Sequence, residues 1–253
     1  MIVEYHRPQS VQQALDLLGR PAPLSLPLGG GSMVNRAARS GAEPVALVDL
    51  QALGLDRLEQ QGSTLQLGAT LTLQALLEGL PEGGLQPALG EAIRHEAGYN
   101  LRQAATVAGT LLSAAGRSPF TTALLALDAQ LLLLPGDETV GLGDLLPVRR
   151  LRLSGRLVVR VSLPANARLR VASVARTPYD RPLVYAAVAA WPSGRTRVAL
   201  GGFGEAPTLA FDGTEANGAE TAARSAYSLA GDEWASAEYR QDAAAVLVKR
   251  CLE

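Results

Sequence analysis

Leu28-Gly29-Gly30-Gly31-Ser32-Met33 ends an apolar stretch with three consecutive glycines and a hydroxyl, and one small subdomain later stands Thr106-Val107-Ala108-Gly109-Thr110. Glycine admits positive φ and lets a backbone come close to a ligand. Successive N–H groups in such loops converge on an anion, typically a phosphate. One such loop carries little information. Two, each flanked by small hydroxyl residues, point to an extended diphosphate ligand gripped from both sides. On this reading the N–H groups of Gly29 to Ser32 wrap one phosphate, with the Ser32 hydroxyl as an extra donor, while Thr106, Gly109 and Thr110 grip from the other side. Neither loop spells G-x-G-x-x-G, and no acidic residue sits where a strand–loop–helix dinucleotide unit needs one, which argues against a Rossmann fold.

Around these loops the chain alternates helices and strands without a regular βαβ rhythm. Ser10 caps a helix over Val11–Leu18, with Gly19 as its stop. Leu24-Ser25-Leu26 and Ala46–Leu50 read as short strands, and Thr64–Ala69 alternates with the period of a strand. Thr72–Leu80 and Leu85–Tyr99 read as helices, with the second glycine loop set between Leu101-Arg102 and Leu111-Leu112. Ser118-Pro119 starts a helix, Phe120–Asp128, and Leu131–Leu134 is a buried strand ended by the turn Pro135-Gly136-Asp137. Arginines cluster from Arg149 to Arg160 around a strand, Leu157–Leu163, and read as a solvated face or a docking surface for a partner. Beyond Pro164-Ala165-Asn166, Leu183–Trp191 and Arg197–Leu200 form a hairpin about Pro192-Ser193-Gly194, and the helices Glu215–Leu229 and Ala237–Leu252 close the chain. The expectation is an α+β protein in two parts, residues 1–164 and 165–253.

Composition removes several classes of function. The 253 residues are 47% hydrophobic and 19% charged with a net charge of −1, so no basic field exists to hold a nucleic acid. Cys251 alone cannot build a disulfide framework, an iron–sulfur cluster or a thiolate zinc site, and His6 and His95 are too few for a metal centre. Cys251 reads as a packing residue, His95 as solvated, Arg102 as a brace for the second loop, and Arg176–Asp180 as an ion pair. No leader and no apolar run of about 18 residues stands in the chain, which leads to the expectation of a cytoplasmic protein without membrane insertion.

The order of these pieces resembles the FAD-binding medium subunit of the molybdenum hydroxylases, the family of the carbon monoxide dehydrogenase flavoprotein and the FAD portion of xanthine dehydrogenase. The resemblance rests on Tyr5…Pro8…Ala14-Leu15, Gly29–Met33, Val48-Asp49-Leu50, Leu67–Thr72, Ala105–Leu111, Leu124–Ala129, Arg176-Thr177, Leu200-Gly201-Gly202 and Ser236–Arg240. It implies a vanillyl-alcohol-oxidase/PCMH-like FAD domain followed by a smaller α+β domain with an antiparallel sheet. It also implies FAD between the two loops, an iron–sulfur small subunit and a molybdopterin large subunit as partners, and electrons passed from iron–sulfur clusters to an external acceptor. Its cofactor-binding residues carry over to Leu28, Gly29, Gly30, Gly31, Ser32, Met33, Thr106, Val107, Ala108, Gly109, Thr110 and Ser118, with Tyr99, Tyr179 and Tyr185 near the flavin by analogy. The chain departs from the family pattern at Ala108, at Ser118-Pro119, where an Asp is usual, and at Ser173, where a Lys is common. Those departures support an alternative: a non-catalytic assembly or scaffold subunit with weak or no FAD binding.

Overall fold

A computed structural model of the chain describes residues 1–32, 44–178 and 180–253. The first lobe is a small parallel sheet in the order β1 (Ile2–His6), β3 (Val45–Asp49), β2 (Leu24–Leu28), with α1 (Val11–Leu18) against it. Ser10 caps α1 by accepting from the Gln13 N–H, and Ala14 and Leu18 are its buried residues. β3 is buried along its whole length, and the Asp49 carboxylate at its end accepts from the Tyr5 hydroxyl.

The second lobe is a five-stranded antiparallel sheet in the order β4 (Leu58–Gln61), β5 (Thr64–Gly68), β8 (Leu157–Pro164), β6 (Gln130–Leu134), β7 (Glu138–Gly141). The helices α2 (Leu73–Gly79), α3 (Gln86–Glu96), α4 (Val107–Ser113) and α5 (Pro119–Ala126) complete it, together with single helical turns at Tyr99–Arg102, Leu142–Leu145 and Arg149–Arg152. β8 joins the lobes because its two faces serve different cores. Leu157 and Val159 pack with Ala14, Val48 and Leu50, whereas Val158, Val161 and Leu163 pack in the main core. A register shift between Leu132 and Leu133 on the neighbouring strand lets Val158 and Val161 share a face despite their odd separation.

The remainder is a four-stranded antiparallel sheet, β12 (Thr208–Gly213), β11 (Thr196–Gly201), β10 (Val184–Ala190), β9 (Arg168–Val174), with α6 (Ala219–Ala226) and α7 (Ala237–Leu252) on one face. β10 reads as a continuous apolar run because both its faces are covered. Val184, Ala186 and Val188 face α6 and α7, while Tyr185, Ala187 and Ala189 enter the same core as α3 and α5. The hydrophobic core is therefore continuous across the chain position 164/165.

The α+β expectation holds, and α1, β2, β5, α5, β6, β8, the β10–β11 hairpin and α7 lie where their patterns put them. Three expectations need correction. The segment Val107–Thr110 is the first turn of a helix and not a free loop. The helix expected over Glu215–Leu229 is confined to Ala219–Ala226, because Gly218 takes φ of 85° and starts it late. The arginine cluster is a solvated face only in part: Arg150, Arg152 and Arg160 are exposed, whereas Arg149 and Arg156 are half-buried, and Arg149, Arg150 and Arg156 line a cavity.

Candidate functional site

The two glycine segments are brought against each other. A Cβ on Gly30 would lie 1.5 Å from the Ala104 carbonyl oxygen, and a Cβ on Gly29 would lie 2.8 Å from Thr106 Oγ1. Only residues without side chains allow this approach. Gly31 turns the chain with φ of 72°. Met33 lies outside the described residues.

Within the second segment, Thr106 caps α4 by accepting from the Gly109 N–H at 3.2 Å. Ala108 sits in the helical first turn, so its methyl group imposes no strain there. The segment is stitched to the residues following β5: the Val107 N–H donates to Leu71 O at 2.8 Å, the Ala108 N–H to Ala69 O at 3.1 Å, and the Thr110 N–H to Thr106 O at 2.8 Å. All four amides from Val107 to Thr110 are thus committed inside the protein. Among the described residues, by contrast, the N–H groups of Gly29, Gly30, Gly31 and Ser32 make no hydrogen bond.

A cavity of about 650 Å³ opens beside this junction, between the three-stranded lobe, the start of α4 and the Arg149–Val158 segment. Gly29, Thr106, Ala108 and Gly109 line it, so one space is shared by both segments. That volume lies within the range of clefts that take small molecules and cofactors, about 300–1,000 Å³. Leu28, Gly30, Gly31, Ser32, Val107 and Thr110 adjoin the lining without forming part of it, and Val107 is wholly buried in the core.

The cavity is cationic. Arg20, Arg149, Arg150 and Arg156 line it, and among the described residues no Asp, Glu, His, Lys, Cys or Tyr does. Three of the four guanidiniums are engaged. Arg20 donates to Glu4 at 2.9 Å, Arg149 to the carbonyls of Ala114 and Leu146 at 2.8 and 2.9 Å, and Arg156 pairs with Glu138 at 2.7 Å. Burial, with the neighbouring Arg150 second, draws the Arg149 pKa below the ordinary arginine value. The Thr70 hydroxyl, in the same wall, is buried without any partner. A small apolar and hydroxyl-lined space with excess positive charge suits an anionic ligand. Among the described residues it holds no group able to exchange protons with a substrate near neutral pH.

Ser118 is set elsewhere. It is 1% exposed, caps α5 by accepting from the Thr121 N–H, and donates to Glu96 Oε2 at 2.6 Å. Glu96 also accepts from the Phe120 N–H at 3.1 Å. Burial is the larger influence on Glu96 and raises its pKa above the usual carboxylate range, against the pull of these two hydrogen bonds. Glu96 thus spends its carboxylate on the start of α5, and neither it nor Ser118 lines the cavity. Arg102 braces the turn before α4 through Gln74 Oε1 and the Ala97 carbonyl. Arg176 pairs with Asp180 at 3.5 Å. Tyr185 is buried in the core, Tyr99 is exposed, and Tyr179 lies outside the described residues. Cys251, on the last turn of α7, packs in the core, where burial pushes its thiol up to about 11. His95 stays on the exposed side of α3 beside Glu91.

Among the polar residues of the cavity, composition and spacing did not reveal Arg20, Ser25, Thr70, Arg149, Arg150, Ser154 and Arg156. The change to arginine-rich sequence at Arg149 was a signal, but nothing local says which way those side chains turn. No helix among the described residues is long and apolar enough to cross a membrane. No cluster of three metal-ligating side chains occurs among them either.

Three kinds of similarity bear on this site. Residues 1–166 match the family described as the FAD binding domain in molybdopterin dehydrogenase. An uncharacterized Escherichia coli K12 protein, YgfM, is 30% identical over 202 residues, which are 80% of this chain and 75% of that one. The nicotine 6-hydroxylase medium subunit of Paenarthrobacter nicotinovorans is 28% identical over 127 residues, 50% of this chain and 45% of the relative. The fold matches a chain of the reconstituted CO dehydrogenase from Oligotropha carboxidovorans with a TM-score of 0.84 at 23% identity, over 98% and 96% of the two chains. It matches a chain of quinoline 2-oxidoreductase from Pseudomonas putida 86 with a TM-score of 0.78 at 22% identity, over 98% and 95%.

Proposed function

Because the chain belongs to the family of FAD binding domains in molybdopterin dehydrogenases, we propose that it is the FAD-carrying electron-transfer subunit of a molybdenum hydroxylase complex. Its partners are then an iron–sulfur small subunit and a molybdopterin large subunit, and its flavin passes electrons from the iron–sulfur clusters to an external acceptor. The single observation that carries this reading is the cationic cavity shared by Gly29 and the Thr106–Gly109 turn. Residues 1–164 form the FAD-binding part and residues 165–253 a smaller domain packed against it.

The residues fit the cofactor. The amides of Gly29 to Ser32, without partners among the described residues, hold the pyrophosphate. Thr106, Ala108 and Gly109 shape the opposite wall, and Leu28, Val107 and Thr110 fix the two backbones in place. Ser118 acts at one remove, by capping α5. FAD supplies the redox chemistry, and the protein supplies binding, orientation and electrostatics. On this reading no side chain among the described residues performs acid–base chemistry on an organic substrate, which the large subunit selects.

The committed amides of Val107–Thr110 favour the second reading, an assembly subunit that binds flavin weakly. One experiment separates the two. The purified chain is reconstituted with FAD and titrated by quenching of flavin fluorescence, and native co-purification is followed by metal analysis. Submicromolar FAD binding with iron- and molybdenum-containing partners supports the electron-transfer subunit. Absence of flavin absorbance after reconstitution overturns it.

A further inference from the structure

Among the described residues, four buried side-chain polar atoms lack a hydrogen-bond partner, on Thr70, Tyr185, Arg197 and Tyr227. Only Thr70 belongs to a residue that lines the large cavity. It is 7% exposed, and its backbone N–H is fixed to Leu55 O at 2.8 Å, so the hydroxyl is left over in a position the chain holds firmly. Buried polar groups are nearly always paired, and an orphan on a cavity wall marks a partner that comes from outside the protein. Arg150, which is exposed to solvent, adds charge to the same lining. It stands in the cavity lining beside three guanidiniums that are already engaged, and has no partner of its own among the described residues. No carboxylate among those residues offsets it within the cavity.

We propose that Thr70 Oγ1 and the Arg150 guanidinium are direct contacts of this chain to the dinucleotide, Arg150 to its diphosphate and Thr70 to a polar atom beside it. A contact from Thr70 requires its χ1 to rotate, since the hydroxyl oxygen is itself shielded from solvent. The proposal rests on the FAD-binding reading and deepens it. A guanidinium contributes charge-assisted, bidentate hydrogen bonds that backbone amides alone do not supply. Affinity then depends on the phosphates of the ligand and falls with salt.

The test uses the purified full chain with FAD and with riboflavin, which has no phosphate. Three variants are compared with the parent: Thr70→Val, Thr70→Ser and Arg150→Gln. Thr70→Val is expected to raise the Kd for FAD about three- to tenfold, the range of one neutral hydrogen bond. Its melting temperature without ligand should not fall, because the hydroxyl has no partner to lose; Thr70→Ser should keep the parental affinity. Arg150→Gln should raise the Kd for FAD at least about tenfold, flatten its salt dependence and leave riboflavin binding unchanged. Parental FAD affinity in either Thr70→Val or Arg150→Gln, with the parent binding FAD, overturns this proposal and leaves the cofactor assignment standing. A parent chain that binds no FAD overturns the cofactor assignment itself.

Discussion

The two glycine-bearing segments look alike in sequence and are opposites in structure. Gly29–Ser32 follows β2 as an irregular turn whose amides have no partners among the described residues. Thr106–Thr110 is a helix start whose amides are all consumed by Thr106, Leu71 and Ala69. Glycine serves both, for different physical reasons. At Gly30 it permits backbone to lie on backbone, against the Ala104 carbonyl; at Gly109 a Cβ would meet only the Thr106 hydroxyl, at 2.7 Å. One segment is an open set of donors, and the other is the platform on which it rests.

This division can be broken by substitution. Gly30→Ala is expected to have the largest effect, because a Cβ 1.5 Å from a carbonyl oxygen forces the two backbones apart. Overpacking of this kind costs about 2–3 kcal/mol. It should lower the urea midpoint and weaken FAD at least about tenfold; unchanged stability and affinity would show that the segments are not in contact. Gly31→Ala comes next. Its Cβ meets only Leu28 at 3.4 Å, but φ of 72° is left-handed, at about 1–2 kcal/mol for a residue with a side chain. Denaturant unfolding should report that loss without the larger collapse of Gly30→Ala.

Thr106→Ala sharpens the contrast from the other side. Loss of the cap should cost about 1 kcal/mol. FAD affinity should change less than in Gly30→Ala, since the amides of that turn already have other partners. Equal loss of FAD affinity in both variants would argue that the second segment also donates to the ligand.

The smallest effect belongs to the other capped helix start, at Ser118. Burial raises the Glu96 pKa in the folded protein above its ordinary 4.5, so the native state binds this proton more tightly than the unfolded chain. The stability Glu96 contributes is present below its unfolded pKa and is lost as pH rises through the raised folded value. The stability of the parent minus that of Glu96→Gln should therefore decline as pH rises from about 4.5 and then level off. Chemical unfolding at a series of pH values checks the sign, and a difference that grows with pH contradicts the buried, raised carboxyl.

Much of the fold was legible residue by residue. The helix starts read at Ser10 and Ser118 are capped as expected, each hydroxyl accepting from an N–H three residues on, and Ser236 does the same for the last helix. The last helix spans Ala237–Leu252 as its pattern requires. Strands β4, β7, β9 and β12 were not foreseen. β4, β7 and β12 are edge strands with exposed residues, and β9 is an edge strand of mixed pattern, so none carries a clean alternation. The glycine pair at Gly29-Gly30 and the turn at Thr106 were likewise visible. Their docking was not, since it depends on pairings between residues far apart in the chain.

Local chemistry, then, settled which segments cap, turn and alternate, because those preferences act within a few residues along the backbone. The tertiary structure alone decided what faces the cavity. β8 and β10 each divide their side chains between two cores, and the tertiary arrangement sets the half-buried Arg149 and the exposed Arg150 in the cavity lining and leaves the Thr70 hydroxyl without a partner on its wall. Burial and orientation of this kind arise only when distant apolar faces meet, and no stretch of sequence specifies that meeting by itself.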